Sequence, residues 1–277
     1  MEDWVISFTL TADYYINTVP LPFTFTNTSA GFLASFITVF AIVFFTVSLS
    51  LKLSNLIEMA LKLYGAAMST CTSRVLTCLH EKEADFEFIS VNLFAGEHKE
   101  SPFLAKNPFG QIPVLEDGDL TLFESRAISA YVAEKFKESG YDLIRYQNVK
   151  EGAQVKVWME VESQQYHPAI SPIVFQFFVA PLQGKSPEQA IIDENLEKLG
   201  KVLDIYEDKL SRTKYLAGDF YSLADLFHLS YTYYFMKTPW ANQINDRPHV
   251  KAWWEDISSR PAFLKVASAM NFGEKQN

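Results

Sequence analysis

Three short stretches of this 277-residue chain combine reactive side chains with the backbone groups that could orient a ligand. The longest runs from Asn107 to Ile128 and reads Asn-Pro-Phe-Gly-Gln-Ile-Pro-Val-Leu-Glu-Asp-Gly-Asp-Leu-Thr-Leu-Phe-Glu-Ser-Arg-Ala-Ile. Two apolar runs, Ile112 to Leu115 and Leu120 to Phe123, flank an Asp-Gly pair, which predicts a hairpin because Gly accepts positive φ. Pro113 cannot donate to a ladder, so it predicts either an edge strand or a proline that faces something other than a neighbouring strand. Glu124-Ser125 falls where strand gives way to helix, and Ser125 is expected as the N-cap. Free N–H groups of a first helical turn form an anion site. An open backbone edge, a carboxylate and a helix N-terminus together suit a ligand with peptide character and charged ends. The second stretch, Gly65 to Thr72, places the hydroxyls of Ser69, Thr70 and Thr72 at a strand-to-helix junction, and spacing does not choose among them. The third is His98-Lys99 in a polar connection. His80, His167, His228 and His249 have no partners at metal-ligand spacing, and no metal is expected. His228 lies in an apolar helical run and reads as a satisfied core histidine.

The elements that must position these residues follow from periodicity. Leu61 to Tyr64 reads as a strand, Ser73 to Lys82 as a helix and Phe86 to Val91 as a strand. Phe94 to Lys106 is a connection with some helical character; the hairpin and a helix over Ser125 to Lys137 come next. From Gly152 on the pattern is helical throughout, with one long amphipathic helix over Glu188 to Leu210. Ser222 with Asp225 three residues on predicts a capping box, a structural role for that carboxylate. The expected fold class is therefore an α/β domain followed by an all-α domain: an extension over 1–58, a first domain over 59–139, a linker over 140–150 and a helical domain over 151–277.

Asn-Pro-Phe-Gly-Gln-Ile-Pro followed by Phe-Glu-Ser-Arg-Ala-Ile closely resembles the glutathione-binding half of plant glutathione transferases, the phi class in particular. The resemblance runs from about Met59 to about Ala269 and does not cover residues 1–58. It implies the glutathione transferase fold, a thioredoxin-like domain before the helical one, with Pro113 in the cis form. It also implies an enzyme that activates the glutathione thiol for attack on apolar electrophiles, in conjugation, detoxification and hydroperoxide reduction. Met-Ser-Thr-Cys-Thr-Ser-Arg-Val-Leu matches the phi pattern with the activating serine at Ser69. Glutathione contacts carry over to Ser69, His98, Lys99, Gln111, Ile112, Pro113, Glu124 and Ser125. Glu124 and Ser125 would hold the γ-glutamyl end, Ile112 the cysteinyl unit, and His98, Lys99 and Gln111 the glycine carboxylate. An apolar wall is expected from Tyr166, His167, Ile170, Phe175 and Phe178, with Met68 and Phe94 opposite, in a cleft between domains. Glutathione is then a co-substrate and no cofactor is expected. A homodimer is expected. One departure stands out: many phi sequences carry Pro in the loop before the serine, where this chain has Ala66-Ala67.

Two other readings differ in class. A cysteine-type thiol transferase would carry cysteine where this chain has Ser69; Cys71 is two positions on. A non-catalytic carrier would bind glutathione and apolar ligands without turnover. Composition excludes more. Lys and Arg total 24 against 33 Asp and Glu, a net charge of −9, and nucleic-acid binding calls for a clustered basic face. Cys71 and Cys78, seven apart on one helical pattern, cannot make a disulfide framework and read as small buried residues in a reducing compartment. The cytosol is expected. Phe32 to Leu51 is nonetheless 20 uncharged, mainly apolar residues, long enough to cross a bilayer. With acidic residues before it and Lys52 after it, a real anchor would leave the catalytic domains in the cytosol; the alternative is an extension arising from an upstream translation start.

Overall fold

The computed structural model describes residues 61–271. The extension over 1–58 and its apolar run Phe32 to Leu51 lie outside the described residues. Strand β1 (Leu61–Gly65) leads into helix α1 (Thr70–Glu81), and β2 (Phe86–Ser90) returns parallel to β1. A 3-10 turn over Glu97–Lys99 and a short helix α2 (Ser101–Leu104) precede the hairpin of β3 (Val114–Asp117) and β4 (Leu120–Phe123), which hands over to α3 (Ser125–Lys135). The sheet order is β2-β1-β3-β4, with β3 antiparallel to both neighbours. This mixed sheet with crossover helices is thioredoxin-like. Leu63 pairs with Leu115 in register, and both are fully buried. Gly118 turns the hairpin at φ +61°.

β3 lies inside the sheet rather than at its edge. Pro113 is buried one residue before it, so its missing N–H removes no ladder bond, and the Ile112–Pro113 peptide is cis as expected. Gly65 closes β1 directly against α1: a Cβ there would stand 2.5 Å from Thr72 Cγ2. Only glycine lets strand and helix approach that closely.

The rest is helical. A nearly continuous rod comprises α4 (Val149–Val161), a π-turn (Glu162–Tyr166), α5 (His167–Val174), a second π-turn (Phe175–Val179) and α6 (Ala180–Leu182). Then come α7 (Gln189–Leu210), α8 (Leu223–Leu226), α9 (Leu229–Phe235), α10 (Asn242–Asn245), α11 (Pro248–Ser258) and α12 (Pro261–Ala267). Asn148 caps α4 through Lys150 and Glu151 N–H, so the helical half starts slightly earlier than 151. α12 packs on α1, and one hydrophobic core runs through both halves, from Leu61 to Met270. Arg260 clasps the seam: it donates to both carboxylate oxygens of Glu81, at 2.6 and 2.8 Å, and lies 3.9 Å over the Tyr221 ring. No helix among the described residues is long and apolar enough to cross a membrane.

Two structural expectations in the helical half hold in detail. Ser222 and Asp225 form a reciprocal capping box, and Asp225 also accepts from Leu216 N–H and Trp253 Nε1, each at 3.0 Å. Burial pushes the Asp225 carboxyl up to about 6 against these hydrogen bonds. His228 is wholly buried, with Nε2 2.9 Å from Tyr206 Oη and Nδ1 2.8 Å from Ala224 O. Burial pulls it down to about 4.

Candidate functional site

Ser69 sits at the N-cap of α1 with extended backbone (φ −72°, ψ 128°). Its Oγ accepts a long 3.4 Å hydrogen bond from Thr72 N–H. A hydroxyl that accepts through a lone pair keeps its own proton to donate. Of the two rival hydroxyls, Thr72 is buried against Gly65, and Thr70 bonds Tyr231. Ser69 is half-buried, at the mouth of the loop Ala66–Ser69.

Across the sheet end, Asn107 clips the loop that leads to the cis proline. Its Nδ2 donates to Gln111 O at 2.7 Å and its Oδ1 accepts from Phe109 N–H at 3.0 Å. Gln111 itself is exposed and Ile112 half-buried. Lys99 Nζ reaches the same loop, donating to Gly110 O at 2.7 Å. His98 Nδ1 is buried without a partner among the described residues, and burial, aided by Lys99, lowers the pKa of the ring.

Glu124, not Ser125, occupies the cap position of α3. Its φ of +71° is a conformation rarely adopted by a non-glycine residue, and its side chain makes no capping bond. Strained backbone of this kind concentrates at ligand sites. The first-turn amides of α3 thus lack a side-chain cap, and the Glu124 carboxylate is exposed beside them. Ser125 is the first helical residue, and the expected N-cap role is corrected accordingly: its buried Oγ accepts from Arg74 Nη1 at 2.7 Å.

Arg74 belongs to a charge cluster that sequence reading missed. Its side chain is 0% exposed, Glu162 is 1% and Arg126 25% exposed. Arg126 donates to Glu162 through Nε at 2.6 Å and Nη2 at 3.0 Å, while Arg74 Nη2 reaches Glu162 Oε1 at 3.4 Å and Phe227 O at 3.3 Å. Burial opposes ionisation of Glu162, but the two arginines outweigh it and hold the carboxyl below the usual carboxylate range. The cluster ties α1, α3 and the first π-turn together directly beneath Ser125. π-turns often mark functional segments, but this one has no reliable sequence signature.

The expected apolar wall is only partly realised. Tyr166 and Ile170 are buried in the core and do not line a cleft. Tyr166 bonds Thr232 Oγ1 at 2.7 Å and stacks on Tyr206. Their spacing of four is that of a core face, and both side chains are in the core. His167, Phe178 and Met68 are half-buried, and Phe175 and Phe94 are exposed, Phe94 by 76%. Burial drives His167 to about 4, so its ring, edge-on to Tyr231, is neutral near pH 7. Cys78 is fully buried as expected; Cys71 is only half-buried, with Arg74 Nη1 4.0 Å from its Sγ.

Residues 59–134 match the family described as glutathione S-transferase, N-terminal domain, and residues 166–261 the corresponding C-terminal domain. Glutathione S-transferase F13 of Arabidopsis thaliana is 60% identical over 219 residues, covering 79% of this chain and all of that relative. The crystal structure of glutathione transferase F7 from Populus trichocarpa is 77% identical, with a TM-score of 0.76, over 77% of this chain and all of that one. Glutathione S-transferase I from mais, solved with an atrazine glutathione conjugate, is 50% identical, with a TM-score of 0.72, over 76% of this chain and 98% of that one.

Proposed function

The chain belongs to the glutathione S-transferase family, in its plant phi class, and is a glutathione transferase; from that premise we propose that Ser69 is the hydroxyl that activates the thiol. The observation that carries this reading is a Ser69 hydroxyl with a proton to donate, at the N-terminus of α1. A free thiol with a pKa near 8.5 is only about 3% thiolate at pH 7. Lowering that pKa by about two units takes roughly 2.7 kcal/mol of preference for the anion. A charge-assisted hydrogen bond and the positive end of a helix can supply it together.

The remaining contacts fit a tripeptide with charged ends. The uncapped amides of α3 and the Ser125 hydroxyl would take the γ-glutamyl carboxylate, and Glu124 the ammonium. Ile112 would pair its backbone with the cysteinyl unit, as an added strand does. His98, Lys99 and Gln111 would meet the glycine carboxylate. The thiolate then attacks an electrophilic carbon; a carbon–sulfur bond forms, and the leaving group departs with the electron pair of the broken bond. Met68, Phe94, His167, Phe175 and Phe178 supply the apolar face for that partner. The cysteine-type reading is disfavoured because Cys71 lies in the first turn of α1, beyond the residue that caps it.

We place the enzyme in the cytosol as a homodimer. Phe109, an aromatic side chain 66% exposed on the loop clipped by Asn107, is our candidate contact with a second copy. Light scattering should give twice the chain mass, reduced by Phe109→Ala.

The test of the function is direct. The protein should be retained on immobilised glutathione and conjugate a model aryl halide. Retention by folded protein without conjugation would instead support a carrier.

A further inference from the structure

The loop before Ser69 lacks the proline that many phi sequences place there, yet each of its carbonyls is tied. Ala66 O accepts from Ser69 N–H at 2.9 Å, and Ala67 O from Ser73 Oγ at 2.8 Å. Met68 O accepts from the Tyr234 hydroxyl at 2.7 Å. The first two ties are local. The third comes from α9, 166 residues further along the chain and in the helical half.

The third tie matters most for the serine. The Met68–Ser69 peptide is a rigid plane, so its carbonyl and amide move together. Ser69 N–H is bonded at one edge of that plane and Met68 O at the other. With both held, the plane cannot rock, and the Cα–Cβ bond that carries the Ser69 hydroxyl keeps its direction. With the Tyr234 bond gone, the carbonyl edge of the plane loses its tie, and the Ala66 contact together with the Ser73 N–H bond to Ser69 O holds the serine side alone. Tyr234 is itself well fixed: it is 1% exposed, and its ring is 5.4 Å from Phe178 and 5.7 Å from Tyr233.

We propose that Tyr234 is a positioning residue for thiol activation, holding the Met68–Ser69 peptide so that the Ser69 hydroxyl points at the glutathione sulfur. The proposal rests on the reading of Ser69 given above. Neighbouring Tyr233 provides an internal control. Its hydroxyl donates at 3.1 Å to Ala267 O, at the end of α12 and away from the loop.

The experiment uses full-length protein and measures pH–rate profiles, KM for glutathione and unfolding midpoints. Variants are Tyr234→Phe, Tyr233→Phe, Ser69→Ala and the Tyr234→Phe/Ser69→Ala double. Tyr234→Phe should raise the apparent pKa of the bound thiol and lower kcat at neutral pH about three- to tenfold, with KM for glutathione unchanged. Tyr233→Phe should leave the profile in place. In the Ser69→Ala background, Tyr234→Phe should add no further shift, since the two act as one unit. Tyr234→Met, which also lacks the hydroxyl, should move the profile the same way and serves if the phenylalanine variant folds poorly. The proposal is overturned if both hydroxyl-free variants fold and their profiles overlay the wild type. It is equally overturned if the shift survives undiminished in the Ser69→Ala background. If Ser69→Ala alone leaves the profile in place, the serine assignment is what fails. If Ser69→Ala shifts the profile and Tyr234→Phe does not, only the tyrosine proposal fails.

Discussion

Exchanging Glu162 for methionine should destabilise the protein more than exchanging Arg74 for methionine, although the two side chains face each other. Two guanidiniums and one carboxylate meet there, leaving one surplus positive charge. Glu162→Met raises the surplus to two and strands Arg74, which has no exposed surface on which to recover solvation. Arg74→Met instead makes the cluster neutral and leaves Glu162 held by Arg126 at 2.6 and 3.0 Å. Stranding a buried charge costs about 3–5 kcal/mol. Losing the Arg74 hydrogen bonds to Ser125 Oγ and Phe227 O costs about 1–3 kcal/mol. At about 2–4 °C per kcal/mol for a chain of this size, Glu162→Met should lower Tm by about 6–20 °C. Thermal unfolding followed by tryptophan fluorescence reads the order directly. Arg74→Met should in addition raise KM for glutathione, because Ser125 loses its orienting donor. An equal or larger Tm loss for Arg74→Met would refute this charge accounting.

Gly65→Ala should lower kcat several-fold, since its Cβ would meet Thr72 Cγ2 at 2.5 Å and push the first turn of α1 that carries Ser69; adding Thr72→Ala should restore much of the rate in the same assay. His228 gives a pH signature. Its folded value near 4 lies below the unfolded value near 6.5, so between these the unfolded chain binds the extra proton and stability falls as pH falls. The stability advantage of wild type over His228→Gln should therefore narrow by up to about 3 kcal/mol from pH 6.5 to pH 4, as urea unfolding would show.

The sites built from contiguous residues were the legible ones. Asp-Gly between apolar runs located the hairpin, Ser222 and Asp225 announced their capping box, and Asn-Pro-Phe-Gly-Gln-Ile-Pro located the loop before the cis proline. What escaped depends on distant contacts. Arg74, Arg126 and Glu162 are separated by 36 and 88 residues, and each alone reads as a surface charge. Tyr234 reads as one aromatic in a run of them, and only the fold brings it to Met68. Two of the expected wall residues fall in the core for the opposite reason. Tyr166 and Ile170 have the right type and spacing, but the same pattern describes a core face, and only the packing of the fold decides which side faces inward.

The pH–rate profile of Ser69→Ala tests thiol activation most directly. If the hydroxyl stabilises the thiolate, the apparent pKa of bound glutathione should rise toward 8.5. The rate below it should fall about ten- to a hundredfold, as expected for a hydrogen bond to a charged group of about 1.5–3 kcal/mol. KM for glutathione should change little, and part of the rate should return at high pH, where solvent alone produces the thiolate. If Ser69 only caps α1, the variant loses about 1 kcal/mol of stability and its profile overlays the wild type. That overlay would contradict the account and turn attention to Thr70.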